Sequence, residues 1–266
     1  MKVFVFDAAR CNGCCGCQIV CKDEHCGNDW MPYAKPQPMT GHFWCKVDQV
    51  VHGQAPVVKI EYTPRMCNHC DNAPCIAAAP DAVYKREDGL VIIDPEKAAG
   101  HAELVDACPY GAIYFNEELS LPQKCTGCAH LVDAGELPRC VDYCATGALR
   151  FGDEEDFADE IAQAEVLGDP ALGPRVYYLN RPHLFLAGNV WDPDANENIE
   201  GAVVTLLDAE GAILSKQETD DFGDFNFKRI DAGGYRLRIE AEGFKTAERE
   251  VDLQESLYVG DFPLQR

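Results

Sequence analysis

Short stretches in which apolar and polar residues alternate recur along the chain, and they predict strands. Val3 to Asp7 and Val57 to Tyr62 both read as strands, and each precedes a group of cysteines. Ala82 to Asp94 predicts a hairpin with an apolar return strand, because Asp88-Gly89 favours a tight turn between its two halves. The first part of the chain is therefore expected to be built on short strands.

Three further segments lack this alternation. Pro95 to Ala107 predicts a short helix with Asp94 at its N-cap, where a carboxylate accepts hydrogen bonds from unpaired backbone N–H groups. Phe151 to Leu167 is acidic, and its apolar residues recur at helical spacing. Lys22 to Val47 is irregular and rich in proline, glycine and aromatic residues, so it predicts a long loop.

From about Leu184 the pattern changes to short strands separated by turns, which predicts a Greek-key β-sandwich. Gly234 to Glu240 alternates strictly, and its inward residues are expected to be Tyr235, Leu237 and Ile239. Turn residues rather than calcium ligands are expected at Asp220, Asp221 and Asp224. No histidine cluster or pair of carboxylates marks a catalytic site in this region.

Composition divides the chain at about the same place. All 15 cysteines lie at or before Cys144, whereas the sandwich region has none. With 266 residues the chain has room for two modest domains. The formal net charge of −22 argues against nucleic acid or anionic lipid as a partner.

The cysteines fall into four runs with spacings typical of iron–sulfur proteins. The first run has the C-x2-C-x2-C-x3-C spacing of bacterial ferredoxins and comprises Cys11, Cys14, Cys17 and Cys21. In such a run the first three cysteines hold one cluster and the fourth belongs to another. The second run is Cys67, Cys70 and Cys75, with Ala79 at the expected fourth position. In the third run only Cys108 remains, because its other positions are Ala98, His101 and Leu104. The fourth run is Cys125, Cys128, Cys140 and Cys144.

Exchanging the last cysteine between the first and fourth runs, and between the second and third, gives three complete sets of ligands. The sets are Cys11, Cys14, Cys17 and Cys144; Cys125, Cys128, Cys140 and Cys21; and Cys67, Cys70, Cys75 and Cys108. The positions left over are Ala79, Ala98, His101 and Leu104, which would all have belonged to one further cluster. The sequence therefore predicts three 4Fe–4S clusters on twelve cysteines, and side-chain packing where a fourth would lie.

Other chemistries for these cysteines are less consistent with the pattern. Disulfides are disfavoured because the cysteines are crowded and their number, 15, is odd. Zinc could explain the fourth run alone, but not the first run or the matched loss of four positions. Small buried side chains rather than ligands are expected at Cys15, Cys26 and Cys45. His101 is expected to be structural, because its companions are apolar.

Two motifs carry a resemblance to a known family. Cys67 to Cys75 reads C-N-H-C-D-N-A-P-C, and Gln123 to Leu131 reads Q-K-C-T-G-C-A-H-L. With the four-run layout of residues 1–150, they resemble the iron–sulfur subunits of molybdopterin oxidoreductases of the dimethyl sulfoxide reductase type. Loss of one cluster together with a C-terminal sandwich is similar to the small subunits of the transhydroxylases that convert pyrogallol towards phloroglucinol.

The resemblance implies an electron-transfer subunit without catalytic residues of its own. It also implies a large catalytic partner that holds bis-molybdopterin guanine dinucleotide, in a heterodimer acting on polyhydroxylated aromatics. Within the family, the alternatives are subunits of a resorcinol-type hydroxylase, a catechol dehydroxylase or a respiratory reductase. Outside it, the alternative is a zinc-binding interaction protein that uses the sandwich for binding. The aromatic residues of Lys22 to Val47 either cover the clusters or face a partner.

The expected fold class is α+β. A double bacterial-ferredoxin-like iron–sulfur domain is expected at 1–150, an acidic helix and linker at 151–183, and an all-β sandwich at 184–266. The sandwich resembles transthyretin-like or carboxypeptidase-regulatory-like domains through T-D-D-F-G-D-F and G-G-Y-R-L-R-I. A cytoplasmic location is expected, because no signal peptide or membrane-spanning run is visible and free thiols suit a reducing compartment. A partner with its own signal could still export the folded chain.

Overall fold

The computed structural model describes residues 1–266, and the chain divides into two compact units. The first, here called the cysteine unit, comprises Met1–Gln49 and Tyr62–Arg181 and contains every cysteine. The second, here called the sandwich unit, comprises Val50–Glu61 and Pro182–Arg266. The sandwich unit therefore takes in a short piece of chain from within the cysteine-rich half. No helix is long and apolar enough to cross a membrane.

The cysteine unit is made of short elements. Its strands, two of which continue into the sandwich unit, are β1 (Lys2–Asp7), β2 (Cys45–Gln54), β3 (Val57–Met66), β4 (Val83–Lys85), β5 (Val91–Ile93), β6 (Tyr114–Asn116), β7 (Leu121–Gln123), β8 (Leu149–Asp153) and β9 (Val176–Leu179). Its helices are α1 (Gly16–His25), α2 (Pro74–Ala78), α3 (Leu104–Ala107), α4 (Ala129–Asp133), α5 (Arg139–Asp142) and α6 (Ala158–Ile161). Only α1 exceeds five residues, so most of the helices depend on packing rather than on their own hydrogen bonds.

Strand β1 is the centre of a three-stranded sheet. It pairs antiparallel with β8 and parallel with β9, in the order β8-β1-β9. All four residues from Val3 to Phe6 are buried, so both faces of this strand are covered. The rings of Phe4 and Phe6 lie in the same core as the side chains of Cys21 and Cys140. The strand predicted from Val3 to Asp7 is confirmed, and it anchors the loop that carries the first cysteines.

The predicted hairpin between Ala82 and Asp94 is confirmed. Strands β4 and β5 pair antiparallel, with Val83 opposite Ile93. The turn lies at Asp88-Gly89, where Gly89 has φ +95° and Asp88 accepts a hydrogen bond from the backbone N–H of Leu90 at 3.0 Å. All three residues of the return strand are buried, as its apolar sequence predicts.

Two predicted helices are largely absent. Of Pro95 to Ala107 only α3 is helical, although the Asp94 carboxylate does accept hydrogen bonds from the next backbone N–H groups, those of Glu96 and Lys97. Gly100, at φ +83°, interrupts the segment. The acidic stretch that begins at Phe151 starts as the end of β8 and contains only a 3₁₀ turn and the single turn of α6. Pairing with β1 outweighs helix propensity there.

The sandwich unit contains two four-stranded sheets. Its strands are β10 (Leu184–Asp192), β11 (Glu197–Asn198), β12 (Val203–Asp208), β13 (Ile213–Glu218), β14 (Asp224–Ile230), β15 (Gly233–Glu240), β16 (Ala247–Leu253) and β17 (Leu257–Pro263). One sheet has the order β11-β10-β14, with β17 also pairing with β10. The other has the order β13-β12-β15-β16. The core between them is aliphatic and aromatic and contains no cysteine.

The predicted inward residues of β15 and the predicted turn are confirmed. Leu237 and Ile239 are fully buried, and Tyr235 packs at the edge of the same core. The Asp220 carboxylate accepts hydrogen bonds from the backbone N–H groups of Phe222 at 3.0 Å and Asp224 at 2.9 Å. Asp220 and Asp221 therefore belong to a turn as predicted, whereas Asp224 is already the first residue of β14.

A buried arginine connects β9 to the second cysteine run. The Arg175 guanidinium, with 8% of its side chain exposed, donates to both carboxylate oxygens of Asp71 at 2.7 and 2.8 Å and to Glu154 at 2.9 Å. Asp71 directly follows Cys70, and its carboxylate also accepts from Lys85 at 2.7 Å. This bidentate pair therefore fixes the position of a cysteine loop.

Replacing Arg175 with methionine is expected to lower the stability of the cysteine unit by about 1 kcal/mol, because the Asp71 carboxylate, 40% exposed and so partly screened by solvent, loses its buried bidentate partner. Burial opposes ionisation, but hydrogen bonds from Arg175 and Lys85 lower the pKa of Asp71. Its contribution is complete above the unfolded pKa of about 3.9 and is lost as pH falls through the lower folded pKa. Anaerobic thermal unfolding should therefore show a wild-type advantage at pH 7 that narrows below about pH 4. Arg238→Met, which removes an exposed pair with Glu248, should leave the unfolding transition almost unchanged, because solvent screens that pair.

Candidate metal centres

The twelve cysteines of the three predicted sets gather into three places in the cysteine unit. We name them the Cys11 site (Cys11, Cys14, Cys17 and Cys144), the Cys125 site (Cys21, Cys125, Cys128 and Cys140) and the Cys67 site (Cys67, Cys70, Cys75 and Cys108). Every cysteine is a free thiol. The fourth member of each site comes from a different run, so Cys144 lies with the first run and Cys21 with the fourth.

The Cys11 site is the most exposed of the three. Burial raises the pKa of the Cys11 thiol, and the neighbouring thiols of Cys17, Cys14 and Cys144 add to this rise. Cys14 is exposed, and the other three are half-buried. Gly13 adopts φ +72° with no room for a side chain, because a Cβ there would lie 2.4 Å from the ring of Tyr62. The loop can therefore turn tightly enough to present its thiols together.

The Cys125 site is buried. The exposed fraction of each of its four cysteines is 7% or less. Burial raises the pKa of Cys21 well above its ordinary value, and the nearby thiols of Cys125, Cys140 and Cys128 contribute to the shift. Helix α1 carries Cys21 into the site, while the backbone N–H of Gly127 donates to the Cys125 sulfur at 3.3 Å. The His25 ring lies on the same helix, with Nε2 3.6 Å from the Cys128 sulfur.

The Cys67 site surrounds a small cavity. All four of its cysteines line this cavity, together with Lys124 and apolar side chains that include Val91 and Ile113. Burial, with smaller contributions from the neighbouring thiols of Cys67 and Cys108, raises the pKa of Cys70 to about 11. The backbone N–H of His69, in the left-handed region at φ +45°, points to the Cys67 sulfur at 3.4 Å.

These sites have the donors that an iron–sulfur cluster needs. Each offers four thiols, and each has at least one backbone N–H directed at sulfur, which for the Cys11 site is that of Leu149 on Cys144 at 3.3 Å. No three histidine, cysteine or acidic side chains lie close enough together to hold a single metal ion. Each site therefore offers one thiol for each iron of a cubane.

The Cys125 site is a neighbour of both other sites. Cys45 is buried in the core that contains Cys17 of the Cys11 site and Cys140 of the Cys125 site, and hydrogen bonds shared with Cys140 and Cys17 raise its pKa well above the ordinary thiol value. At the other end, the thiol of Cys67 is close enough to Cys125 to contribute to the raised pKa of Cys125, after burial and Cys140. The Cys125 site therefore occupies the middle position.

Three of the four residues at the positions left over in the cysteine runs are buried side chains. Ala79, Ala98 and Leu104 are fully or almost fully buried in one hydrophobic core that also contains Cys70 and Cys75. The fourth residue, His101, is 39% exposed, and its Nδ1 lies 2.7 Å from Glu103. His101 is thus a surface residue held by a carboxylate.

The aromatic residues of the predicted loop could either cover the clusters or face a partner, and the contacts of Trp44 and Trp30 favour covering. Trp44 is 2% exposed and packs against His25, with ring centroids 4.7 Å apart. Trp30 stacks on His130 at 4.2 Å, and the His130 Nε2 pairs with Glu24 at 3.0 Å. These rings exclude water from the side of the Cys125 site. The loop also begins later than predicted, because α1 continues to His25.

Several residues at the sites carried no recognisable signal in the sequence. Cys45 was expected to be a small buried side chain, which is confirmed at 1% exposure, but its place between two sites could not be read from its isolated position. Cys15 and Cys26 are half-buried, not buried as expected. Lys124 is 2% exposed although lysine is rarely buried. Only its position directly before Cys125 could have pointed to the site.

Comparison with protein-family models matches both units. A family described as a 4Fe–4S dicluster domain matches residues 58–154, which extend over the second, third and fourth cysteine runs. A carboxypeptidase regulatory-like domain matches residues 186–265. An iron–sulfur domain followed by a β domain of this type agrees with the α+β fold class predicted from the sequence. The iron–sulfur match also removes the basis for the zinc-binding alternative.

Comparison with curated proteins gives relatives of one kind. The chain is 40% identical to the pyrogallol hydroxytransferase small subunit of Pelobacter acidigallici, over 96% of both chains. It is 38% identical to a tetrathionate reductase subunit of Salmonella typhimurium, over 68% of this chain and 73% of that one. It is 33% identical to a probable anaerobic dimethyl sulfoxide reductase chain of Escherichia coli, over 77% of this chain and 94% of that one.

Proposed function

We propose that this chain, which belongs to the iron–sulfur subunits of the molybdopterin oxidoreductase family, holds three 4Fe–4S clusters on twelve cysteines and serves a large molybdenum-containing partner. The single observation that carries the proposal is the gathering of those cysteines into three groups of four, each completed by a cysteine from another run. When bound, such clusters supply reversible one-electron transfer. The protein contributes thiolates, N–H donors to sulfur, burial and spacing.

The exposure of the sites suggests a direction for electron exchange. The Cys11 site has an exposed thiol at Cys14, and the large side chains of Ile19 and Tyr143 close to it in sequence are more than half exposed. The Cys125 and Cys67 sites contain mainly buried thiols. We therefore place electron exchange with the partner at the Cys11 site, with the Cys125 site next and the Cys67 site last.

The partner we infer is a catalytic subunit with bis-molybdopterin guanine dinucleotide that transfers a hydroxyl group between polyhydroxylated benzenes. The similarity along 96% of the chain to a pyrogallol hydroxytransferase small subunit supports pyrogallol as substrate. Phloroglucinol is the product that the family resemblance implies. That exchange, with a tetrahydroxybenzene as co-substrate, has no net electron change. The role of this chain is then to hold a redox reserve for the partner's metal, and its own residues perform no catalytic step.

A second candidate function is electron delivery to a reductase. It is favoured by the similarity to a tetrathionate reductase subunit, which extends over two thirds of this chain. In that case the three sites would form a through route between an external electron carrier and the partner. The two functions differ in whether a net electron supply is needed for turnover.

For the sandwich unit we propose a transthyretin-like fold with a docking or stabilising role. Its core has no cysteine, and the buried carboxylate of Asp192 at its edge is paired with Arg266 at 2.7 Å. We place the heterodimer in the cytoplasm, since all 15 cysteines are free thiols.

The complex purified anaerobically with its natural partner should convert pyrogallol to phloroglucinol when a tetrahydroxybenzene co-substrate is present and no electron donor or acceptor is added. Product formation by liquid chromatography and molybdenum analysis check this. Turnover that requires an added electron carrier would reject the transhydroxylase and support the reductase function. Absence of a molybdenum-containing partner would reject both.

A further inference from the structure

A buried lysine lies between the Cys125 and Cys67 sites. Lys124 directly precedes Cys125 in the chain, and its side chain lines the cavity formed by the four cysteines of the Cys67 site. Its exposed fraction is 2%. Its Nζ donates hydrogen bonds to the backbone carbonyls of Val91 and, at 3.1 Å, Cys125. One side chain therefore contacts both sites.

The surroundings of Lys124 offer it no carboxylate. The cavity it lines is formed by cysteines, apolar side chains, Asn68 and Tyr110. Its two hydrogen bonds to carbonyls leave one of the three ammonium donors free for sulfur. An ammonium buried without an anion is costly, so the negative charge that balances it has to come from the thiolates of the two sites.

Other lysines near the sites are arranged differently. Lys85 donates to the carbonyls of His69 and Cys70, but its charge is offset by Asp71 at 2.7 Å. Lys22, on the same helix as Cys21, is directed away to the side chain of Gln37 and to the carbonyls of Pro38 and His42. The residue that lies between the Cys11 and Cys125 sites is Cys45, and its thiol carries no positive charge. Lys124 is thus a buried cation whose neighbouring anions belong to two sites at once.

We propose that Lys124 is a positioning residue whose positive charge raises the reduction potentials of the clusters held at the Cys125 and Cys67 sites relative to that at the Cys11 site. Reduction adds one negative charge to a cluster, and a nearby buried cation stabilises that charge more strongly than a solvated one does. Electrons that enter at the Cys11 site are then retained on the two inner sites. The inference rests on the proposed three-cluster function and adds the residue that makes the inner sites a reservoir.

The test is a redox titration of the anaerobically purified complex followed by electron paramagnetic resonance. In Lys124→Met, which removes the charge and keeps the length, reduction of the two inner clusters should become at least about tenfold less favourable, a fall of about 59 mV for one electron. The potential of the Cys11-site cluster should change by much less. Lys124→Arg should restore the wild-type order, and Lys35→Met, which removes an exposed lysine paired with Asp29, should leave all three potentials unchanged.

Several results would overturn the inference. Unchanged inner potentials in Lys124→Met with full iron content would do so, as would an equal shift at all three sites. If the methionine variant loses iron, Lys124→Gln, which keeps a hydrogen-bond donor for the carbonyls, is titrated in its place. Loss of iron in both neutral variants, with Lys124→Arg intact, would assign Lys124 a purely structural role. Wild-type protein without three clusters would reject the proposed function itself, which the iron content reports separately.

Discussion

Replacing Cys21 with alanine is expected to disrupt the cluster of the Cys125 site and to leave the cluster of the Cys11 site intact. Cys21 belongs to the first run in sequence, yet its thiol lies beside those of Cys125, Cys128 and Cys140. Because each cubane iron needs its own thiolate, loss of one ligand removes either one iron or the whole cluster. Iron content should fall, and the spectroscopic signal lost should be that of the buried middle site.

Two comparison variants make this prediction decisive. Cys128→Ala removes another ligand of the same site, and Cys14→Ala removes a ligand from the run in which Cys21 stands. The low-temperature paramagnetic resonance spectrum of Cys21→Ala should match that of Cys128→Ala and differ from that of Cys14→Ala. Cys26→Ala, at a half-buried thiol outside all three sites, should keep the full spectrum. A Cys21→Ala spectrum that matched Cys14→Ala would contradict the exchange of ligands between runs.

Removing the iron is expected to unfold the cysteine unit and leave the sandwich unit folded. Cysteine side chains stand inside two hydrophobic cores of the cysteine unit, where Cys21, Cys125 and Cys140 occupy one and Cys70 and Cys75 the other. Its helices are ten residues or shorter and cannot persist in isolation. The free energy of cluster binding is therefore a large part of the folding free energy of this unit.

Hydrogen–deuterium exchange before and after chelation under oxidising conditions measures this effect. Backbone amides of α1, α4 and α5 should lose their protection, whereas those of β12 and β15 should keep it. The sandwich core of Leu237, Ile239 and their neighbours contains no thiol and provides the internal control. Retained protection of β1 in the iron-free protein would show that the unit folds without its clusters.

The predictable part of the fold is the part that depends on local chemistry. The hairpin of β4 and β5 follows from Asp88-Gly89, and the inward residues of β15 follow from strict alternation. The proximity of Cys21 to the fourth run follows from covalent spacing, since the fourth thiol of such a run points away from the first three. In each case the nearest few residues determine the outcome.

Long-range packing decides the part that could not be predicted. Leu149 to Asp153 forms a strand because it pairs with β1. The helical spacing of the acidic stretch that begins at Phe151 therefore predicted a helix where a strand begins. The tip of the hairpin formed by β2 and β3 belongs with the sandwich unit, and Gln54 donates to the carbonyl of Tyr258 at 3.1 Å. No sequence pattern within residues 50–61 predicts a contact with a residue 204 positions later in the chain.

The same distinction applies to the candidate sites. The ligand cysteines can be recognised from their regular spacing. Cys45 and Lys124 belong to no repeated pattern, and they lie between sites only because folding brings separate cysteine runs together. The burial of Lys124 depends on β5, which supplies the Val91 carbonyl, and on the cysteines of the second run. The residues next to Lys124 in the sequence therefore do not predict its burial.

The central claim is that this chain holds three clusters and that a fourth has been replaced by side-chain packing at Ala79, Ala98 and Leu104. Native mass spectrometry of the anaerobically prepared chain, with iron and acid-labile sulfide analysis, counts the metal directly. The account predicts about twelve irons and about twelve sulfides per chain, four of each for every cubane. About sixteen irons, or about eight, would contradict it.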